Sequence, residues 1–174
     1  MNFTPLKVAG AFGISSAINS DFRGSLTRLW DLDSSPRTFN LIQSSIVHNP
    51  TSGTLRGLHY QSEPFAENKV VECVEGRVFD VLLDLRVESP TSGEHLALEI
   101  GLGCDYLGVF VPAGCAHGYI TLEANSTLVY FMDKTFAPEH SSGIRWNDPA
   151  FEIAWPSVPT LISEIDANWP SLSQ

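Results

Sequence analysis

The sequence has little positive charge, few cysteines and no long apolar run. Ten Lys and Arg residues stand against twenty Asp and Glu in 174 residues, which gives a net charge of −10. Because a protein that grips a nucleic-acid backbone needs surplus Lys and Arg for the phosphates, this balance argues against a nucleic-acid partner. No segment approaches the ~18 consecutive apolar residues of a membrane span, and the first sixteen residues lack the pattern of a signal peptide. We therefore expect a cytoplasmic protein that engages neither nucleic acid nor membrane.

The three cysteines, Cys73, Cys104 and Cys115, show no metal-ligand spacing. An odd number of thiols leaves one unpaired in any disulfide scheme, which suits a reducing compartment. Cys73 and Cys115 stand in apolar surroundings, so we expect them to be small core residues. The cysteines therefore predict neither a metal site nor a disulfide framework.

What is present is a series of short apolar segments separated by turns, as in an antiparallel sandwich or barrel. The length predicts one domain over 1–174, with N-terminal strands and an arm in 1–50, a core in 51–135, and loops and a short helix in 136–174. Residues 25–31 fit a strand or a helix equally well, and Ser163 has the position of a helix cap. The predicted strands cover residues 41–47, 69–73, 77–85, 96–100, 107–111, 119–122 and 126–131.

The segment from Gly53 to Val70 carries the most suggestive polar residues: Arg56, His59 and Lys69. If the segment folds back as two neighbouring strands, His59 and Lys69 can face one pocket. An imidazole beside an ammonium group can remove a proton from a carbon next to a carbonyl. Each residue also has a plain structural interpretation, since a lone His is often a hydrogen-bonded core residue and a Lys at a strand start is usually solvated.

Further candidates lie along the later strands. His117 follows a Gly-rich turn and could point into the same cavity, and Tyr130 is either a core aromatic residue or an acid. Asp80 and Asp84 are four apart in an apolar strand and share a face, so burial would require Arg86, Arg56 or a His as their partner. From the residues alone, the chain is a β domain with a polar pocket.

The stretch GTLRGLHYQ at 53–61 resembles the signature of the dTDP-4-dehydrorhamnose 3,5-epimerase family. The likeness covers nearly the whole chain and implies a cupin-type jelly roll, a homodimer in which an N-terminal strand joins the partner's sheet, and no metal or cofactor. It also implies a dTDP-4-keto-6-deoxyhexose substrate, epimerised at C3 and C5 in rhamnose-type deoxysugar biosynthesis. Further matching blocks are DFRG at 21–24, KVV at 69–71, GRVFDV at 76–81, DLR at 84–86, SPT at 89–91, PAGCAHG at 112–118, Tyr130, WNDP at 146–149, WP at 155–156 and SEID at 163–166.

The resemblance assigns catalytic roles to four residues. His59 is the implied base, and Asp166 orients its imidazole and stabilises the imidazolium. Lys69 would lie near the C4 oxygen and stabilise the enolate. Tyr130, across the pocket, is the implied acid, because inversion requires an acid and a base on opposite faces of the sugar.

The resemblance also assigns residues to binding and support. Arg23 and Arg56 match positions that contact the diphosphate, where a guanidinium fork suits the oxygens. Gln43 matches a nucleotide-pocket residue and His117 a residue near the sugar. The remaining pair, Asp80 and Asp84, matches acidic residues that hold the catalytic wall.

Several positions depart from the family pattern. A usual Tyr is Phe136, which removes a hydroxyl that could position the sugar or supply a proton at the second carbon. A single-carbon 3- or 5-epimerase on a related 4-keto sugar nucleotide is therefore one alternative. The other departures are Ser45, Val47, Ser141, Leu26 and Arg28.

Two further functions would lie outside this reaction class. A metal-dependent cupin draws support from the motif at 112–117 with His59, but such a site needs three or four ligands and position 61 is Gln. A non-catalytic sugar-nucleotide-binding cupin would require a broken catalytic set, whereas His59, Lys69, Tyr130 and Asp166 are all present.

Overall fold

The computed structural model describes residues 1–172 and consists almost entirely of β-strands. One short helix, α1 (Glu164–Ala167), lies near the end of the chain, and Leu32–Ser34 and Pro138–His140 form single 3₁₀ turns. The strands are β1 (Asn2–Pro5), β2 (Phe12–Ser15), β3 (Ile18–Asp21), β4 (Gly24–Thr27), β5 (Gln43–Asn49), β6 (Thr54–Gln61), β7 (Lys69–Glu75), β8 (Arg77–Asp84), β9 (His95–Gly101), β10 (Gly108–Val111), β11 (Cys115–Thr121), β12 (Ser126–Met132), β13 (Ser141–Gly143) and β14 (Leu161–Ile162).

The strands form two sheets and a separate hairpin. The first sheet has the order β1-β2-β10-β7-β12-β5 and the second the order β13-β6-β11-β8-β9, with β14 added parallel to β6. Strands β3 and β4 pair only with each other among the described residues. Neighbours within each sheet are mostly distant in sequence, as in a jelly roll. The predicted all-β fold with a short C-terminal helix is confirmed.

The core between the sheets follows from the alternation of side chains along each strand. Val71 and Cys73 of β7 belong to the inner cluster between the sheets. Val70, which precedes Val71 in the alternation, packs in an aromatic cluster with Phe39 and Phe110. The inner cluster is fully or almost fully buried, so this face supplies the main apolar driving force for folding. Its other members are Val8, Ala11, Val78, Leu82, Leu96, Ile100, Val109, Val111, Cys115, Tyr119 and Leu128.

Strand β11 begins earlier than the sequence pattern predicts. The expected strand started at Tyr119, but residues from Cys115 onward pair with β8, from Cys115 opposite Asp84 to Thr121 opposite Val78. The run Cys-Ala-His-Gly has few β-branched residues, so its local preference for a strand is weak and the pairing decides. His117 therefore lies within this strand.

The sequence left open that the segment 53–70 folds back as two neighbouring strands. The structure shows that it does not. Strand β6 belongs to the second sheet and β7 to the first, so His59 and Lys69 come from opposite walls of the jelly roll. Of residues 25–31, for which a strand and a helix were both open, the first three lie in β4 and the other four in no strand or helix.

Asp84 is held in a hydrogen-bonded network at the end of β8. The Arg86 guanidinium donates from Nε and Nη2 to the two carboxylate oxygens, each at 2.7 Å, and the hydroxyls of Ser89 and Thr91 donate to Oδ2. Arg86 also donates to the Ala9 carbonyl at 2.7 Å, which ties this turn to the N-terminal segment. Burial alone would raise the pKa of Asp84, but these donors hold it well below its ordinary value.

Within residues 1–172, no helix is long and apolar enough to cross a membrane.

We expect Asp84→Asn to destabilise the fold by about 3 kcal/mol at pH 7, because it removes the charge from a buried, fully bonded carboxylate. A lowered folded-state pKa contributes stability above the unfolded Asp pKa of about 4, and this contribution is lost as the pH falls below it. The difference between the parent and the variant should therefore shrink below pH 4. Urea unfolding at equal protein concentration measures it.

The matched control is Asp21→Asn, since Asp21 also pairs with an Arg two residues later but is 47% exposed. An exposed pair contributes little, so its removal should leave unfolding unchanged. Equal effects of the two substitutions would contradict the role of the Asp84 network.

Candidate active site

Two adjoining cavities of about 570 and 260 Å³ are lined by residues of both sheets. They share five lining residues, Arg56, His59, Lys69, Tyr130 and Met132. Both sheets supply these residues, since Arg56 and His59 lie on β6 and the others on β7 and β12. The structure therefore brings together side chains that are up to 76 positions apart in sequence.

His59 is hydrogen-bonded to a carboxylate of the C-terminal helix. Its Nε2 lies 2.6 Å from Asp166 Oδ1. Asp166 sits in the first turn of α1, where the Ser163 side chain accepts a hydrogen bond from its backbone N at 3.1 Å and caps the helix. The Trp169 indole donates to the same carboxylate oxygen at 3.3 Å, and the Gly57 backbone N to the other at 3.4 Å.

This carboxylate is fixed and charged. Burial raises the pKa of Asp166, but the hydrogen bond and charge of His59 and the two further donors outweigh burial, so the pKa falls below its ordinary value. An ionised carboxylate at Nε2 holds the proton on that nitrogen and leaves the lone pair on Nδ1. The His59 side chain is 41% exposed, so the imidazole is accessible from the cavity.

A close approach between β6 and β11 positions His59 and His117. Gly57 has φ +128°, and a Cβ at this position would lie 2.5 Å from the Gly118 Cα. Only glycine fits both the conformation and the space. The register shifts at this point and places His59 directly opposite His117.

Lys69 is anchored by a buried acidic partner. Its Nζ lies 2.8 Å from Glu67 Oε1, and both side chains are almost fully buried. The Gln61 amide donates to the other Glu67 oxygen at 2.6 Å and accepts from the Ala137 backbone N at 2.7 Å. The sequence analysis missed Glu67, although its position two residues before a strand-entry Lys was a usable signal.

Tyr130 faces His117 across the smaller cavity. The two rings are 6.1 Å apart in an edge-to-face arrangement, and His117 Nε2 lies 2.8 Å from Asp80 Oδ2 in a fully buried pair. Burial raises the pKa of Tyr130 well above its ordinary value, and the nearby Tyr119 and Asp80 add to the effect. Tyr130 is therefore a protonated phenol at neutral pH.

The predicted binding residues differ in position. Arg56 lines both cavities, and its Nε donates to Asn49 Oδ1 at 2.9 Å. Gln43 lies at the start of β5 and accepts a hydrogen bond from the Phe136 backbone N at 3.0 Å. Asn49, the last residue of β5, is fully buried and is a second contributor that sequence reasoning missed.

Five predicted residues lie outside the linings of both cavities: Arg23, Arg28, Gln43, Asp80 and Asp84. Arg23 and Arg28 are exposed on and after the β3–β4 hairpin and pair with Asp21 and Asp31 at 2.6 and 3.1 Å. Asp84 belongs to the network at the end of β8. Although Asp80 and Asp84 share a strand, only Asp80 contacts a cavity residue, His117.

Four of the departures from the family pattern line the cavities. Ser45 and Val47 lie in the smaller cavity, and Phe136 and Ser141 in the larger. Leu26 instead lies on the exposed hairpin. Four of the six departures therefore lie in the walls of the two cavities.

Within residues 1–172, no group of three or more His, Cys, Asp or Glu side chains could hold a metal ion. His59 and His117 are each engaged by one carboxylate, from Asp166 and Asp80. The metal-dependent alternative has no ligand set in this part of the chain.

Residues 5–174 match the family model described as dTDP-4-dehydrorhamnose 3,5-epimerase. A dTDP-4-dehydrorhamnose 3,5-epimerase of Sinorhizobium fredii is 42% identical over 135 residues, 77% of this chain and 69% of the relative. A dTDP-4-dehydro-6-deoxyglucose 3-epimerase of Streptomyces is 30% identical, covering 97% of this chain and 88% of the relative.

The fold is similar to the crystal structure of dTDP-4-dehydrorhamnose 3,5-epimerase from Bacillus anthracis with TDP and PPi bound. The TM-score is 0.90 at 30% identity, with 98% of this chain and 99% of that chain covered. The match over nearly the whole sequence, together with the shared fold, establishes the relationship. The chain belongs to the dTDP-4-dehydrorhamnose 3,5-epimerase family.

Proposed function

We propose that the protein is an isomerase that epimerises a dTDP-4-keto-6-deoxyhexose at C3 and C5, in rhamnose-type deoxysugar biosynthesis. The observation that carries the proposal is the convergence of a carboxylate-bound His59, a buried Lys69 and a protonated Tyr130 on one cavity. C3 and C5 both lie next to the C4 ketone, so one chemistry serves both carbons.

His59 is the base of this mechanism. Its Nδ1 takes the proton from the carbon next to the ketone, and the C–H electron pair moves to form an enolate with the charge on the C4 oxygen. The imidazolium that results is stabilised by Asp166, which lies 2.6 Å from Nε2. The His59–Asp166 pair therefore supplies both the lone pair that takes the proton and the negative charge that balances the imidazolium.

Lys69 stabilises the enolate. An α-proton is far less acidic than an imidazolium, and each pKa unit of mismatch is about 1.4 kcal/mol uphill. A preorganised donor at a developing oxyanion contributes roughly 3–4 kcal/mol. Glu67, at 2.8 Å from Nζ, keeps the ammonium group in place without being part of the reaction.

Tyr130 completes the inversion. Its phenol gives a proton to the carbon on the face opposite His59, and the enolate electrons return to form the new C–H bond. The phenolate and the imidazolium then return to their resting states through proton exchange with solvent. Since the His and the Tyr come from different sheets, they can reach the sugar from opposite sides.

The nucleotide is held by a second group of residues. Arg56, whose Nε is fixed by Asn49, keeps its Nη atoms for the diphosphate. Gln43, which is bonded to the backbone of the cavity residue Phe136, would lie at the nucleotide end of the pocket. His117, held by Asp80, would lie beside the sugar. Asp84 supports this part of the pocket only through β8.

The three free thiols agree with a cytoplasmic protein.

We further propose a homodimer in which the hairpin of one protomer reaches the site of its partner. Phe22 at the hairpin tip is 97% exposed, and Leu26 and Ile18 are more than half exposed. Apolar side chains in such a position favour burial against another surface. Strand β5 is an edge of the first sheet and can accept a further strand. Arg23 would then bind the diphosphate, with Arg28 beside it.

A single-carbon epimerase is the second candidate. Phe136 lines the larger cavity without a hydroxyl, so Tyr130 is left as the acid for both carbons. A Streptomyces relative described as a 3-epimerase shows that this outcome occurs among similar sequences.

Solvent exchange tests the reaction and separates these two candidates. With dTDP-4-keto-6-deoxyglucose in D₂O, we expect deuterium at both C3 and C5, because both protons are next to the ketone. NMR of the product sugar reads each carbon separately. Phe136→Tyr should leave the deuterium content of C3 and C5 unchanged. Deuterium at one carbon only in the parent protein, and at both carbons in Phe136→Tyr, would establish the single-carbon alternative. No deuterium exchange at either carbon would contradict the proposed function.

For the dimer, we expect sedimentation to give twice the chain mass of 19.1 kDa. Arg23→Ala should weaken dTDP binding about tenfold, because one charged contact to the diphosphate is lost. Mixing Arg23→Ala chains with His59→Ala chains should restore activity, since mixed dimers contain one intact site. Arg37→Ala, another exposed arginine, is the control. A monomeric protein, or mixed chains without recovery, would contradict the shared site.

A further inference from the structure

Gln61, the last residue of β6, has no role in the reaction described above. Its side chain lines the larger cavity and the residue is only 7% exposed. The amide oxygen accepts a hydrogen bond from the Ala137 backbone N at 2.7 Å. Because a backbone N–H can only donate, this contact fixes which end of the amide is the carbonyl. The NH2 group therefore faces the Glu67 carboxylate, to which it donates at 2.6 Å.

The same amide joins two loops. Its Nε2 also lies 3.0 Å from the Phe65 carbonyl oxygen and 3.3 Å from the Thr135 carbonyl oxygen. Residues 62–68 and 133–137 lie in no strand or helix, so no ladder of backbone hydrogen bonds fixes either segment. Gln61 supplies contacts that hold both of them against the end of β6.

The position of the Lys69 ammonium group depends on these contacts. A lysine side chain carries its charge on a flexible four-carbon stem, and Glu67 restrains it through the 2.8 Å contact between Nζ and Oε1. Glu67 itself belongs to the first of the two loops, and its other oxygen is held by Gln61. The ammonium group is therefore placed by two side chains in series, of which the first is anchored on a strand.

We infer that Gln61 is a positioning residue that holds the Glu67–Lys69 pair and links it to the segment 135–138, an inference that rests on the proposed function. Phe136 of this segment lines the larger cavity and is 60% exposed. A ligand packed against Phe136 restrains the neighbouring Ala137 N–H and, through Gln61 and Glu67, the ammonium group. The C4 oxygen then meets a cation that is already in place, which is the condition for efficient stabilisation of an enolate. Gln61 acts through hydrogen bonds alone and transfers no proton.

Gln61→Glu tests the inference, because it sets a second carboxyl group against Glu67. Two carboxyls at this distance share one proton at low pH and keep their hydrogen bond. As the pH rises this proton is lost, and the two negative charges repel each other and displace Glu67 from Lys69. We expect the kcat of the variant, relative to the parent at the same pH, to fall about tenfold to a hundredfold between about pH 5 and pH 9. The affinity for dTDP, which has no sugar ketone, should change less than about twofold.

A second substitution, Glu67→Gln, should remove this pH dependence from the Gln61→Glu protein. The new carboxylate then accepts from the new amide, whose carbonyl can still accept from Lys69, so the two effects are not additive. The control is Gln43→Glu, since Gln43 also accepts from a backbone N of the same segment but has no carboxylate partner among the described residues. Its rate relative to the parent should not depend on pH. A pH-independent ratio for Gln61→Glu, or no recovery in the double variant, would overturn the inference.

A measurement on Lys69 itself does not depend on turnover. The chain has three lysines, so ¹⁵N NMR of lysine-labelled protein can follow the hydrogen exchange of each ammonium group. In Gln61→Ala, the exchange at Lys69 should accelerate at least about tenfold, while Lys7 and Lys134 keep the rates of the parent. An unchanged Lys69 rate would overturn the inference. If the parent puts no solvent deuterium at C3 or C5 and the Lys69 exchange still accelerates, the positioning role stands and the proposed reaction fails.

Discussion

The hydrogen bond between His59 and Asp166 is the interaction on which the site depends. It joins strand β6 to a one-turn helix 107 positions later in the chain, at 2.6 Å. Ser163 caps this helix, and Trp169 and Gly57 bind the same carboxylate. The C-terminal segment thus brings an ionised carboxylate to an imidazole on the second sheet.

The remaining polar side chains around the cavity each have a buried partner. Lys69 is paired with Glu67 and His117 with Asp80, and Arg56 is held by Asn49. Pairing limits the cost of placing charges in a dry environment. The side chains therefore stay in fixed positions, with the proposed base His59 on one sheet and the proposed acid Tyr130 on the other. This geometry suits an inversion better than a proton exchange on one face.

The sequence predicted the β-rich fold, the capped C-terminal helix and the main cavity residues, because turns, apolar alternation and polar motifs are local signals. It failed where tertiary pairing overrides local preference. Strand β11 begins at Cys115 despite weak strand propensity, and β6 and β7 lie in different sheets although they are consecutive. Asn49 carried no motif and Glu67 only its position shortly before Lys69, so it is their contacts that identify them.

The most direct test of the central claim is the rate of solvent deuterium exchange in Asp166→Asn. An amide cannot hold the imidazole proton or balance the imidazolium charge as a carboxylate does. We predict a loss of about 10²- to 10⁴-fold with dTDP binding unchanged, while Asp105→Asn at an exposed position matches the parent. An Asp166→Asn rate within a few-fold of the parent would contradict the account.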